Sequence, residues 1–319
     1  MKVQTFLTDD VPTRIWNSYV KNFNSVFNKS FNLDHFLNKY DSFSNNSYHS
    51  FLIEDNEVLA ATSIVPMKYW LNKKKIVVGL VVDLFVVKEY RKDPLIILKL
   101  YLELKKKIKN QISLIVAVPN INSVGYFINI LKFKQIGNLN YRIFPIKVGN
   151  ISFNSNKLLN IISKLFSEIY FITNKIISSF LVIKNKPKIY LDLNDKFLKK
   201  RFYGPYKNYS DNNYKFNYRI VFENGVKTAY LIYFDFNNES NFKSLLYAVN
   251  FIRKKESVDL ILYVGSLTFC QTLILKVPKF LEPKNLPFIY ENINMNSSQL
   301  KIIENFKNWD FSLINYDVR

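Results

Sequence analysis

Cys270, His35 and His49 are the side chains of this 319-residue sequence from which nucleophilic or metal chemistry would have to be built. A single cysteine excludes both a disulfide scaffold and a cysteine zinc cluster, and it fits a reducing compartment. A metal centre or a Ser-His-Asp triad would have to use one of only two histidines, so no metal site is expected. Cys270 lies in an apolar, helix-like context and reads as a buried structural thiol. Arg201, Arg219 and Arg253 could bind an anionic substrate such as a nucleotide-sugar diphosphate, or simply make ion pairs. Tyr203-Gly204-Pro205-Tyr206 reads as a turn, either an ordinary packed loop or one wall of a ligand groove.

The formal net charge is +20, from 45 Lys+Arg against 25 Asp+Glu. At face value that points to nucleic acid or an anionic membrane. Seven of these cations are arginine and 38 lysine, in a chain also crowded with Asn, Ile, Phe and Tyr, the residues of A/T-rich codons. Compositional drift therefore explains much of the lysine. Only Lys73 to Lys75 and Lys105 to Lys107 form tight runs.

Behind these side chains stand elements that must position them. With 48% apolar and 22% charged residues the chain is globular, and its length favours two lobes over one. A helix is expected over Pro12 to Asn22 and a weaker one over Leu33 to Tyr40, then three antiparallel strands at Ser50 to Glu54, Val58 to Lys68 and Lys75 to Val87. Pro94 suits the first turn of a helix to Lys109 whose buried face is read as Leu95, Leu98, Tyr101, Leu102 and Ile108. Ile112 to Val118 reads as a strand buried on both faces, followed by a short helix, Ser123 to Leu131, and strands at Phe133 to Gly137 and Tyr141 to Val148 that close the first lobe.

Leu158 to Ile183 is long and apolar, but Lys164, Glu168 and Lys175 share one helical face, so it is not expected to span a membrane. Packing between lobes is preferred to lying on a membrane surface. The second lobe is expected to carry a hairpin, Tyr214 to Phe222 and Lys227 to Phe236, around Asn224-Gly225, then a helix from Ser240 to Lys255 and a buried strand, Asp259 to Val264. A helix near Leu267 to Leu275 and strands at Pro287 to Asn292 and Trp309 to Ile314 complete a repeated element order. The division expected is 1–150, an interlobe helix over 151–186, and 187–319. Met1 to Thr8 lacks an apolar signal region, from which a cytoplasmic location is expected.

The run Val82-Asp83-Leu84-Phe85-Val86-Val87-Lys88-Glu89-Tyr90-Arg91, followed by a helix, a buried strand, Asn120 and the stretch Tyr126 to Lys134, resembles the acyl-CoA core of the GNAT acyltransferase superfamily. The resemblance covers roughly Val58 to Val148. The repeated order and Asn308-Trp309-Asp310-Phe311-Ser312 resemble tandem Fem-type aminoacyltransferases and GNAT-like proteins of surface-polysaccharide synthesis. It implies an α+β fold of two tandem GNAT-like lobes with mixed sheets flanked by helices. It also implies acetyl-CoA or another acyl-CoA as co-substrate, and an amino sugar, nucleotide-linked in this reading, as amine acceptor. The alternatives are a Fem-type enzyme that uses aminoacyl-tRNA and a non-catalytic scaffold.

Such a transfer needs free backbone N–H groups for the thioester carbonyl, an anion cradle for the pyrophosphate and a base for the amine. Leu84, Phe85 and Val86 supply the first in this reading. Arg91, Lys92, Asp93, Leu95 and Ile96, at a helix amino end, supply the second together with Asn120, although Pro94 and Ile96 stand where the family carries two glycines and Pro94 lacks an N–H. By resemblance, Asp83 is the carboxylate base and Tyr126 the acid for the leaving thiolate.

Overall fold

The computed structural model describes residues 1–43, 46–151, 156–180, 187–202, 204–236 and 241–316. The chain forms two compact units: Met1–Asn138 with Lys188–Arg201 and Lys284–Phe306, and Leu139–Pro187 with Phe202–Pro283 and Lys307–Arg319.

The first unit begins with a strand that the sequence pattern had not disclosed, β1 (Lys2–Leu7), then α1 (Thr13–Phe27) and α2 (Leu33–Phe43). α1 buries Ile15, Trp16, Tyr19 and Phe23 at helical spacing and ends where Asn28 turns left-handed. β2 (Tyr48–Glu54), β3 (Glu57–Leu71) and β4 (Lys74–Val86) form the expected antiparallel meander, with Asp55-Asn56 and Asn72-Lys73 supplying positive φ at its turns. α3 (Leu95–Ile108) then crosses to β5 (Leu114–Ala117), which pairs parallel with β4. α4 (Ile121–Gly125) and β6 (Lys134–Asn138) follow. The buried face of α3 is Ile96, Ile97, Leu100, Tyr101, Leu104 and Ile108, whereas Leu95 and Leu102 are exposed. The expected face holds at Tyr101 and Ile108 and is corrected at Leu95 and Leu102, because a helix with apolar residues on every side of its first two turns leaves the buried face undefined by spacing.

β7 (Asn140–Pro145) and α5 (Lys157–Phe180) belong to the second unit, and β8 (Ile189–Leu191) and α6 (Asp195–Arg201) to the first. The second unit continues with β9 (Tyr206–Ser210), β10 (Tyr214–Glu223), β11 (Val226–Phe236), α7 (Asn241–Lys255), β12 (Leu260–Gly265) and β13 (Leu275–Lys276). Asn224 and Gly225, at φ 52° and 80°, make the expected hairpin tip. β14 (Pro287–Asn292) and α8 (Ser297–Ile303) again belong to the first unit.

One sheet runs β1-β2-β3-β4-β5-β14-β6 with β8 on β3; the other runs β13-β7-β12-β11-β10-β9. The expectation that Tyr141 to Val148 closes the first lobe and Pro287 to Asn292 the second is therefore corrected. β7 pairs with β12 and β14 fills the gap between β5 and β6. Local pattern identifies a strand but not its distant partner. Each sheet nevertheless holds the same core, a parallel pair joined by one helix: β4-α3-β5 and β11-α7-β12. The repeat extends past that core: an antiparallel meander precedes it in both sheets, β2-β3-β4 and β9-β10-β11, and two antiparallel strands follow it, β14 and β6 beyond β5, β7 and β13 beyond β12. Leu267 to Leu275, however, contains no helix, and Trp309 to Ile314 forms isolated bridges instead of a strand, Ser312 pairing with Gly265. Trp309 and Phe311 are wholly buried. Tyr203, Ser240, Lys186, Arg319 and the end of the apolar run at Ile183 lie outside the described residues.

α5 reverses another expectation. Its buried residues are Ser167, Phe171, Asn174 and Ser178, and its aliphatic side is exposed. The polar side docks through hydrogen bonds: Val148 N–H donates to Ser163 Oγ, which donates to Ile146 O, and Thr272 Oγ1 donates to Asn174 Oδ1 at 2.6 Å. Among the described residues no helix is long and apolar enough to cross a membrane.

Candidate active site

β4 and β5 are paired only from Val78 to Leu80 against Leu114 to Val116. Past Leu80, β4 continues to Val86 held by β3 alone, so Leu84, Phe85 and Val86 have one strand edge with no partner strand. A bulge accompanies this split. Ala61 faces Phe85 and Ser63 faces Val82, which leaves Asp83 and Leu84 opposite Thr62 alone, with Asp83 at φ 54°. Asp is one of the few residues that takes this conformation at modest cost.

The bulge is fixed from its side chain. Asp83 Oδ1 accepts from Lys39 Nζ and Oδ2 from the Tyr40 hydroxyl, each at 2.7 Å. A buried polar chain extends behind them. The Tyr40 and Tyr19 hydroxyls share a 2.7 Å hydrogen bond, and His49 lies between Ser63 Oγ at Nδ1 and Thr8 Oγ1 at Nε2. Burial, then the charge of Asp83, raises the Tyr40 hydroxyl well above its usual range, and burial lowers His49 to about 3. Ser63 and His49 are wholly buried, so this pair is structural and no substrate reaches it. Sequence reading had no signal for the chain, because its members come from five elements far apart in sequence.

The loop after β4 has a different conformation from an open anion cradle. Arg91 Nε donates to Val86 O at 2.9 Å, which ties the loop arginine to the strand edge. Asp93 Oδ1 accepts from Leu95 N–H at 2.9 Å, and Ile96 N–H donates to Asp93 O. The first amides of α3 are thus already engaged, one of them by a carboxylate. Ile96 turns into the core, away from this loop, while Lys92 and Leu95 are exposed. Beside Arg91 a groove of about 510 Å³ is lined by Asn22, Glu57, Leu59, Lys88 and Tyr90 among others.

On the β5 side, Asn120 is the N-cap of α4, its Oδ1 accepting from Asn122 and Ser123 N–H. α4 widens into a π turn at Tyr126, whose carbonyl accepts from Leu131 N–H, and Tyr126 is half-buried. No hydrogen bond joins Tyr126 to Asp83 among the described residues. The structure thus gathers Asp83, Leu84, Phe85, Val86 and Arg91 along β4, with Asn120 and Tyr126 after β5.

For Arg253 the ion-pair alternative holds, and the reading of Cys270 is corrected. Arg253 lies over the Phe171 ring at 4.1 Å and pairs with Glu168, lowering that carboxyl mainly through its hydrogen bond, so it is a structural cation. Arg201 is buried. Cys270 is exposed in a loop, not buried on a helix.

The second sheet repeats the split. β11 and β12 pair only over Thr228 to Tyr230 and Leu260 to Leu262, and Ile232 is the extra residue of a bulge opposite Asn217 and Tyr218.

The chain as a whole is similar in fold to several solved structures. A probable N-acyltransferase of Enterococcus faecalis, described as a conserved protein of unknown function, matches with a TM-score of 0.59 at 10% identity, over 92% of this chain and 73% of that one. A GCN5-related N-acetyltransferase of Anabaena variabilis matches at 0.56 and 13%, over 91% and 73%. The N-myristoyltransferase of Saccharomyces cerevisiae with bound myristoyl-CoA matches at 0.53 and 10%, over 92% and 79%. The fold is GNAT-like. No family model matches the chain, and no curated protein matches it by sequence.

Proposed function

We propose that the chain is an N-acyltransferase that takes its acyl group from an acyl-CoA. The observation that carries this reading is the unpartnered edge of β4 at Leu84 to Val86 beside a parallel strand that has diverged, where strand N–H groups can hold a thioester carbonyl. The acceptor amine attacks the carbonyl carbon, the C–S bond breaks, the amine's proton passes to a base and the thiolate takes a proton from an acid. Tyr126 is the hydroxyl assigned to the thiolate. Asp83 is the carboxylate assigned to the amine, and it takes a proton only by giving up Lys39 or Tyr40. The pyrophosphate rests by this reading against Arg91, Lys92 and the amino end of α3, with Asn120 holding the opposite loop in shape. The amino-sugar acceptor and the aminoacyl-tRNA alternative rest on the sequence resemblance alone.

One observation favours a second reading, a non-catalytic lobe pair: Asp93 occupies the amide that a phosphate would use. Thermal shift separates the two. Acetyl-CoA or myristoyl-CoA at a hundred times its Kd stabilises the chain by about 2.7 kcal/mol if it binds. No shift with either, across a panel of nucleotide amino sugars as well, removes the acyl-CoA reading.

A further inference from the structure

The outer side of α5 is aliphatic along its whole length. Leu158, Ile162, Leu165, Ile169, Ile172 and Ile176 succeed one another at steps of three and four, each between 45% and 66% exposed. Ile161 and the two phenylalanines Phe166 and Phe180 widen the face, and Phe180 is 81% exposed. At 100° per residue these positions sweep an arc of about 140°, with the docked polar side opposite.

Such a face needs an occupant, because contiguous exposed apolar surface of this extent marks an interaction site. Its border shows which one. Lys157, Lys164 and Lys175 are exposed and lie at steps of seven and eleven, a single row along one edge of the apolar arc. The acidic residue in that row, Glu168, is paired with Arg253. Lysine stems at the margin of an apolar face place their ammonium groups at headgroup level while the face enters the acyl boundary. A second copy of the chain is the poorer match: each copy carries +20, and the arc exceeds the narrow seam of a coiled-coil pair.

We propose that α5 docks the protein on the surface of an anionic lipid bilayer, lying in the interface plane with its aliphatic side down and its lysine row among the headgroups. The helix lies on the bilayer and does not cross it, since three lysines and a glutamate fall within its length. The inference is independent of the acyl-CoA reading.

The test is co-sedimentation of the full chain with vesicles of equal parts phosphatidylcholine and phosphatidylglycerol. Binding is expected, weakened by added salt. Leu165→Ser/Phe166→Ser should lower the partition coefficient about tenfold or more, because two large apolar side chains no longer leave water. Lys157→Gln/Lys164→Gln/Lys175→Gln should lower it by about a hundredfold at low salt and by little once salt screens the surface, whereas the loss in the serine pair persists in salt. All five positions are exposed, and circular dichroism checks that the variants fold. Phe166→Trp keeps the face apolar and should show blue-shifted emission on the same vesicles. No binding, binding that survives Leu165→Ser/Phe166→Ser, or equal binding to phosphatidylcholine alone overturns the proposal. A lipid-free dimer that the serine pair dissociates overturns it in favour of self-association.

Discussion

Lys39 Nζ lies 2.7 Å from Asp83 Oδ1, with both side chains more than nine-tenths buried. The pair joins α2 to the bulge of β4, so the shape of the candidate slot depends on a helix forty residues upstream. Removing one partner strands the other charge in a poorly solvated site. Lys39→Met is expected to destabilise the chain by about 3–5 kcal/mol in urea unfolding, and Lys39→Met/Asp83→Asn to recover part of that loss. A cost below about 1 kcal/mol for the single variant would show that the bulge does not need the pair.

Asp83→Asn alone separates support from proton transfer. If the carboxylate accepts the amine's proton, kcat falls by roughly 10²–10⁴ with acyl-CoA binding intact. Unchanged turnover in a folded variant would leave Asp83 as an anchor of the bulge only.

The loop between β4 and α3 holds two residues of opposite expected effect. Arg91→Ala removes a cation beside the groove and should raise the KM for acyl-CoA by about tenfold or more, from a charge-assisted contact of ~1.5–3 kcal/mol. Asp93→Ala frees the Leu95 amide and removes a negative charge from the phosphate's path, so calorimetric CoA affinity should increase. Equal affinities in wild type and both variants would place the pyrophosphate elsewhere.

Gly79 stands where β4 still pairs with β5. A Cβ there would lie 2.7 Å from Ile64 Cγ2 and 3.0 Å from Ile112 Cδ1. Gly79→Ala is therefore expected to cost about 1–3 kcal/mol through overpacking, read as a lowered Tm. An unchanged Tm would mean that the two isoleucines shift freely.

Much of the β4-α3-β5 core was legible because its signals are local: the meander's turn residues, Pro94 before a helix, and the aliphatic run before Pro119. Asn224-Gly225 announced its hairpin for the same reason. What could not be read was non-local. No pattern in Asn140 to Pro145 or Pro287 to Asn292 states which sheet each strand joins, since each is a six-residue strand whose apolar side chains either sheet could bury. The site was legible as a segment, Asp83 to Arg91, but not as an environment. That Asp83 meets Lys39, that Arg91 turns back to Val86 and that Asp93 caps α3 are all side-chain choices made in three dimensions. α5 misled through its composition, because an aliphatic stripe normally faces a core and here it faces outward.

His49 supplies a prediction about acid stability. Its imidazole is wholly buried between Thr8 and Ser63, and burial lowers its proton affinity from 6.5 to about 3. Below pH 6.5 the unfolded chain takes up a proton at this residue that the native chain refuses, so native stability falls as the pH drops, and the loss continues until the native imidazole itself is protonated near pH 3. By pH 4.5 the contribution is on the order of 2–3 kcal/mol. His49→Gln keeps side-chain hydrogen-bonding groups for the two hydroxyls and has no proton to gain. Between pH 7 and 4.5 the variant should therefore lose less stability than the wild type by that margin, whatever its offset at neutral pH. Parallel urea curves at the two pH values check this, and equal losses in the two proteins would show that His49 is not what sets the acid limb.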